Sequence, residues 1–340
     1  MLARAFADLA WCLCLATSGC TPLQTQDAGE GGGGGGGEGG AGGSDAGVAG
    51  CDRPGNPYAE SALEADIRFL AGPALQGRAA GSDGDRRARA YIESRMRCAG
   101  LRPVGGSYIQ TFADSEGSNT ANLIGVLDGS DAALASEIIV ISAHHDHLGA
   151  DRTGVFAGAN DNASGVAALL AMAQALHDAG GLRRTVVFAA FASEEVGFDG
   201  SAWYTEHPPT GLPINKTQYN VNLDMVGRYD DEGVIYALNA FAGTPARSAL
   251  NAVAGRFRGL EIEMNEPGDL SDQLSFCEVG VPGVFFHTPD NVCYHKTCDT
   301  PDRIDYPHLA QIAGLVGAVV TELANSEHGL AAARRAGCQP

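Results

Sequence analysis

Five clusters along the chain carry side chains able to hold a metal ion or move a proton. The first is Ala143-His144-His145-Asp146-His147, directly after the apolar run Ile138–Ser142. In an extended chain alternate residues share a face, so His144 and Asp146 point one way and His145 and His147 the other. A His beside a carboxylate is the usual metal-ligand arrangement, because the carboxylate can fix tautomer and ring orientation. The competing reading is a solvated polar loop end. The second cluster runs from Gly158 through Asn160-Asp161-Asn162 to Ser164-Gly165, where the polar residues can equally serve as helix caps. The third is Ser193-Glu194-Glu195, at the end of another apolar run. Adjacent Glu residues usually lie on the surface, but after a buried strand one can bind metal while the other moves protons. The fourth is Asp224 in Val221-Asn222-Leu223-Asp224-Met225, an acid in an apolar strand that needs a hydrogen bond or a cation. The fifth is Cys293-Tyr294-His295-Lys296-Thr297-Cys298-Asp299-Thr300, which holds a His in a Cys-bounded loop. A Cys/His zinc knuckle is its rival reading, disfavoured by the lack of a second Cys pair.

Together the clusters supply His, Asp, Glu, Asp and His, with no thiolate required. Such a set suits zinc or a similar divalent ion. Three of these ligands hold one ion. Five, with one carboxylate bridging, hold two, spaced about 3.5–4 Å apart.

The elements that must position these clusters alternate. Helical spacing covers residues 60–71 and 84–99, and strands are expected at Ala121–Leu127, Glu137–Ala143 and Thr185–Ala192. The Ala- and Leu-rich stretch Ser164–Ala179 reads as a helix between the last two. Further strands are expected at Tyr219–Leu223, Gly233–Leu238 and Gly283–Phe286, and further helices at Pro245–Phe257 and Pro307–Asn325. Alternating strands and helices, with fully apolar central strands, imply an α/β domain whose sheet is covered on both faces. Most of the clusters follow a predicted strand, and open α/β sheets bind ligands beyond the carboxyl ends of their strands.

Composition narrows the function classes. The chain has 340 residues and a formal net charge of −19, and residues 51–340 hold 36 acidic and 21 basic groups. That balance argues against nucleic-acid binding, which needs a basic surface. An uninterrupted apolar run of about 18 residues, the mark of a membrane span, is not found. Of the 47 glycines, 14 fall in residues 29–50, a stretch that cannot bury a core and reads as a flexible tether. Residues 1–20 read as an export signal, and Thr17-Ser18-Gly19-Cys20 resembles a bacterial lipoprotein processing site. The layout is then a signal at 1–20 ending in a lipid-bearing Cys20, a tether at 21–50 and a single enzyme domain at 51–340. This implies an exported protein, lipid-anchored to a bacterial membrane. Cys51, Cys98, Cys277, Cys293, Cys298 and Cys338 remain after processing, an even number compatible with disulfides.

In order and spacing the clusters resemble the di-zinc aminopeptidases of metallopeptidase clan MH, the secreted bacterial leucyl aminopeptidases. The likeness covers roughly residues 60–325 and includes the lead-in Leu75-Gln76-Gly77-Arg78-Ala79-Ala80-Gly81-Ser82. It implies a mixed, mostly parallel central sheet with helices on both faces, the zinc-peptidase, phosphorylase/hydrolase-like fold. It further implies two zinc ions. His144 and Asp224 would bind one, Glu195 and His295 the other, and Asp161 would bridge them. Glu194 would be the general base and Asp146 would orient His144. A cis Asp161–Asn162 peptide and a Cys293–Cys298 disulfide are also implied. Where the family often has Ser-Asp-His, this chain has Ser271-Asp272-Gln273, and Asn160 stands where many members have Asp. No room exists between the Asn122 strand and His144 for the inserted protease-associated domain of larger relatives. The implied activity is hydrolysis of N-terminal peptide bonds in peptides with a free amine. Alternatives are a single-zinc glutaminyl cyclase of the same clan, a carboxypeptidase or dipeptidase, and a non-catalytic anchored binding domain.

Overall fold

A computed structural model of the protein describes residue 51, residues 55–264, 266–268 and 271–327, and residue 330. The expected export signal at 1–20 with Cys20, the expected tether at 21–50, and Cys338 lie outside the described residues.

In chain order, helices α1 (Glu60–Leu70) and α2 (Asp83–Cys98) precede strands β1 (Arg102–Pro103), β2 (Ile109–Ala113), β3 (Asn119–Leu127) and β4 (Ile138–His144). A small hairpin of β5 (Ala150–Asp151) and β6 (Gly154–Val155) and an irregular turn at 159–164 lead into α3 (Gly165–Asp178). There follow β7 (Thr185–Phe191), α4 (Asp199–Glu206), β8 (Thr217–Leu223), α5 (Tyr229–Glu232), β9 (Ile235–Leu238) and α6 (Pro245–Val253). Strand β10 (Ile262–Met264), α7 (Gln273–Glu278), β11 (Gly283–His287) and α8 (Tyr306–Asn325) come last.

The sheet order is β1-β3-β7-β4-β8-β11-β9-β10, with β2 also paired to β3. Its four central strands, β7, β4, β8 and β11, run parallel. Antiparallel β3 flanks them on one side and antiparallel β9 on the other. Every residue of β4, β7 and β8 is buried, as unbroken apolar strands at the centre of a covered sheet require. Alternate side chains feed two cores. Ile139, Ile141, Val186 and Phe188 join a large core with residues of α1, α2, α3, α6 and α8. Ile138, Val140, Val187 and Phe191 join a smaller one with Tyr204 of α4 and Phe276 of α7. Helix α8 has the length and hydropathy of a membrane span, yet Leu309, Ile312, Val316 and Val320 pack into the large core.

Local chemistry sets the element ends. Ser82 caps α2 by accepting from the Asp85 N–H, and Asp83 and Asp85 suit the positive end of that helix. Gly165 opens α3 against β8, and a Cβ there would sit 2.6 Å from the Leu223 carbonyl oxygen. The expected helix over Pro245–Phe257 ends earlier, at Val253, and tightens into one turn at Ala254–Arg256. The expected strand from Gly233 starts at Ile235, because Gly233, at φ +70°, closes the short helix α5. Cys51–Cys98 and Cys293–Cys298 form disulfides, and Cys277 is also disulfide-bonded.

Candidate active site

Register brings the clusters together. In the β4–β7 pair His144 stands opposite Phe191, and in the β4–β8 pair Ser142 stands opposite Asn222. The chain therefore leaves three adjacent parallel strands at one level, through His144, Ser193-Glu194-Glu195 and Asp224. Two further loops complete the group. The turn before α3 brings Asp161, and the disulfide-bounded loop after β11 brings His295.

His144 is fully buried, and its Nδ1 lies 3.3 Å from the Asp146 carbonyl oxygen. A carbonyl only accepts, so Nδ1 carries a hydrogen, and Nε2 is the nitrogen left to face the carboxylates. That Nε2 faces Asp161 Oδ1 at 3.3 Å and Asp224 Oδ1 at 3.2 Å, with Glu194 Oε2 at 4.0 Å. On the other side His295 Nε2 faces Asp161 Oδ2 at 3.3 Å and Glu195 Oε2 at 3.0 Å. Ring nitrogens this close to several carboxylate oxygens share either a proton or a cation with them. In a tetrahedral zinc site with bonds of about 2.0–2.1 Å, neighbouring ligand atoms stand about 3.3 Å apart. The spacings observed here fit that edge. Ligand atoms of His144, Asp161 and Glu195 lie within 4.8 Å of one another, as do those of His144, Glu194 and Asp224. Donor type and spacing thus both fit zinc.

The loops are held tightly. Asp299 accepts from the backbone N–H of Asn160 at 2.8 Å and of Asp161 at 3.0 Å. Asn162 caps α3, with its Oδ1 accepting from the Gly165 N–H, and donates to the Leu223 carbonyl. The Asp161–Asn162 peptide is cis. Asn160 Oδ1 accepts from the Gly227 N–H at 2.8 Å, a task that either Asn or Asp performs. His295 takes a left-handed φ of 53°, uncommon outside Gly, and its ring stacks on Tyr294 at 3.9 Å. The carboxylate of Asp146 accepts from the N–H groups of Glu194 (3.2 Å) and Glu195 (3.3 Å), and lies 3.7 Å from His144 Nδ1. It therefore ties the loop after β4 to the loop after β7.

Charge pairing shifts the titrations. Burial pushes the Glu194 carboxyl well up, Asp224, Asp272 and Glu195 push it further, and His144 opposes them. Burial would raise Asp161 too, but hydrogen bonds from His144 and His295 outweigh it and hold that carboxyl below its ordinary range. Burial lowers His295, yet its bonds to Asp161 and Glu195 win and lift it to about 10. Asp272, wholly buried, rises to about 7, chiefly by loss of water.

Of the two remaining histidines of the first cluster, one departs from expectation. His145 points away, to Asp85 at 3.1 Å, as alternation requires. His147 does not join it: β4 ends at His144, alternation ends with it, and the chain turns His147 back against Glu195 at 2.6 Å. Gln273 lies beneath β8, where its Oε1 accepts from Asn222, and is not among the residues facing Asp161. The sequence assigns no role to Arg78, Asp272 or Asp299, although each stands in a segment it singles out. Arg78 stood in the lead-in motif and Asp299 next to Cys298, but nothing in either segment shows which loop it will grip.

The sequence pattern of peptidase family M28 matches residues 122–320. The chain is 29% identical over 304 residues to the uncharacterised protein YfbL of Escherichia coli, covering 78% of this chain and 88% of YfbL. It is 29% identical over 203 residues to aminopeptidase YwaD of Bacillus subtilis, covering 56% of this chain but 42% of YwaD. Among solved structures the fold is shared with the zinc aminopeptidase BSAP of Bacillus subtilis, at a TM-score of 0.66 and 18% identity, over 80% of this chain and 97% of BSAP. It is shared equally with a glutaminyl cyclase of Porphyromonas gingivalis, at a TM-score of 0.65 and 18% identity, over 79% and 100% of the two chains.

Proposed function

The chain belongs to peptidase family M28, and from that premise we propose that it is a zinc aminopeptidase working with two ions and Glu194 as general base. One observation carries the reading. The two oxygens of Asp161 face different imidazoles, Oδ1 toward His144 and Oδ2 toward His295, each at 3.3 Å. A carboxylate shared in this way supports a bridging role. His144 and Asp224 would hold one ion and Glu195 and His295 the other. When bound, such a pair supplies a water of lowered pKa and a Lewis acid for the scissile carbonyl.

The side chains do the rest. Glu194 takes a proton from the attacking water, the oxygen adds to the carbonyl carbon, the C–N bond breaks and Glu194 passes the proton to the leaving nitrogen. A buried carboxyl pushed above its ordinary range is matched to both halves of that transfer. Asp146 fixes where Glu194 sits by holding its backbone N–H. The carboxylates Asp146, Asp161, Glu194, Glu195 and Asp224 converge here, and their field favours a substrate that brings a free amine over one that brings a free carboxylate.

The enzyme is further proposed to act outside the cytoplasm on a lipid anchor at Cys20, with residues 21–50 as its tether. The export-like N-terminus supports this, as do the Cys51–Cys98 and Cys293–Cys298 disulfides, which persist in oxidising compartments.

The test pairs hydrolysis of aminoacyl-nitroanilides, with and without chelator, with zinc analysis. The expected result is chelator-sensitive hydrolysis and two zinc ions per chain. One zinc ion, together with cyclisation of an N-terminal Gln peptide and no hydrolysis, would replace the reading with a cyclase.

A further inference from the structure

His147 has no task in that mechanism, yet it is among the most constrained side chains of the site. Its ring is buried and its Nδ1 lies 2.6 Å from Glu195 Oε1. The same nitrogen stands 3.8 Å from Asp161 Oδ2. Gly158, at φ +62°, presses on the ring: a Cβ there would come within 2.7 Å of its Cγ and Cδ2. The edge of the ring meets His295, with centroids 5.8 Å apart.

These distances decide the role. The Glu195 oxygen only accepts, so Nδ1 carries the hydrogen. The separation of 2.6 Å is that of a charge-assisted hydrogen bond and well short of the roughly 3.3 Å between two ligands of one zinc ion. His147 is therefore a donor to Glu195, not a fellow ligand. Its Nε2 is buried with no hydrogen-bond partner among the described residues. With Oε1 engaged, Glu195 has Oε2 for His295 and Asp161.

We propose that His147 is a positioning residue for zinc, its Nδ1–H holding one oxygen of Glu195 so that the other alone meets the ion shared with Asp161 and His295. The proposal rests on the two-zinc reading. It assigns the last His of the first cluster a task distinct from that of Asp146, which holds the backbone of Glu195 and not its carboxylate.

The test compares zinc affinity in wild type, His147→Ala, His147→Gln and His147→Asn by competition with a chromophoric chelator. Melting of each zinc-free protein reports folding. Asparagine places an amide N–H where Nδ1 stands, whereas glutamine places it near the Nε2 position. His147→Ala and His147→Gln should weaken one of the two zinc sites by about 10–100-fold, the usual loss for an outer partner of a ligand. His147→Asn should stay within about threefold of wild type, since it keeps the donor. Should His147→Ala fail to fold, the contrast between asparagine and glutamine decides alone. Wild-type affinity at both sites in His147→Ala, or equal losses in the asparagine and glutamine variants, overturns the proposal while leaving the two-zinc reading intact. Wild-type protein that binds fewer than two zinc ions overturns both.

Discussion

Replacing Arg78 with methionine should weaken the scaffold of the site from beneath. Arg78 is 1% exposed and sends all its hydrogen bonds to backbone carbonyls. Its Nε donates to His145 at 2.9 Å, its Nη1 to Leu70 and Ala157 at 2.7 Å each, and its Nη2 to Gly158 at 2.9 Å and Asp161 at 3.5 Å. A guanidinium has five N–H donors, so the group is fully engaged. Burial lowers it to about 10, with Asp299, Asp161, Asp146 and Glu195 pulling the other way, so it remains charged at neutral pH.

Four short bonds to a charged donor, at about 1.5–3 kcal/mol each, amount to about 6–12 kcal/mol. Removing the group also relieves the cost of keeping a charge out of water, several kcal/mol. The net loss should be about 3–5 kcal/mol, as when one member of a buried charged set is removed. That is below the total stability of an ordinary domain, about 5–15 kcal/mol, so the variant should still fold. Urea unfolding of the zinc-free protein, disulfides intact and followed by Trp203 fluorescence, measures the loss as a lower midpoint at unchanged slope. Arg78→Lys should lose roughly half as much, because three donors on a flexible stem replace five in a fixed fork. Three of the five carbonyls belong to His145, Gly158 and Asp161, so zinc affinity should fall along with stability. A methionine variant within about 1 kcal/mol of wild type, below the usual cost of even one charged hydrogen bond, would refute the reasoning.

Glu194→Gln should keep its zinc and lose about 100-fold or more in turnover, the usual share of a positioned base; near-normal turnover on a nitroanilide substrate would remove Glu194 from that role. His295→Ala should lower zinc content from two ions toward one by metal analysis, and two tightly held ions would strike His295 from the ligands. Zinc binding should release protons and tighten as pH rises, because His295, lifted to about 10, is protonated in the metal-free protein at neutral pH and must give up that proton. The gain should approach tenfold per pH unit for each proton released, and calorimetry in two buffers of different ionisation enthalpy reads the release directly. The sign reverses for the metal-free fold: the His295 pairing stabilises it fully below the ordinary His range, and the contribution fades as pH rises toward about 10.

Long apolar patterns were legible in the sequence and short tertiary ones were not. Strands β4 and β7 were expected within a residue of their ends because seven consecutive buried positions leave no other element available. Helices α4 and α7 went unread. With eight and six residues they are too short to stand without packing, and Tyr204 and Phe276 hold them through the smaller core. Strand β2 escaped because it lies at the sheet margin and puts Ile109 on its exposed face and Gln110 on the other, so burial alternates but hydropathy does not. The proposed ligands and Glu194 were legible as candidates, since each is a polar group at an apolar strand's end or in a Gly- or Cys-bounded loop, whereas the parts played by Arg78, Asp272 and Asp299 were not. Their convergence was not. His144 meets Asp224 across 80 residues, and only the parallel order β7-β4-β8 places the three strand ends side by side.

Alternation is a property of extended backbone, and it stopped serving where that backbone stops. It turned His145 away from His144 correctly, toward what proves to be Asp85, because His145 directly follows the last strand position. Two residues later it failed, and the failure marks how the site is built. A centre that gathers Asp146, Asp161, Glu194, Glu195 and Asp224 repels itself until cations arrive. Arg78 faces that charge from within the fold and holds the carbonyls of the loops after β4 and before α3. Asp299 grips the same turn through its N–H groups from the opposite side. The peptide of Asp161 is thus held at its nitrogen by an acid and at its oxygen by a base, neither of which faces the metal position. The ligands are carried by backbone fixed through buried charge, so zinc would meet a site already assembled.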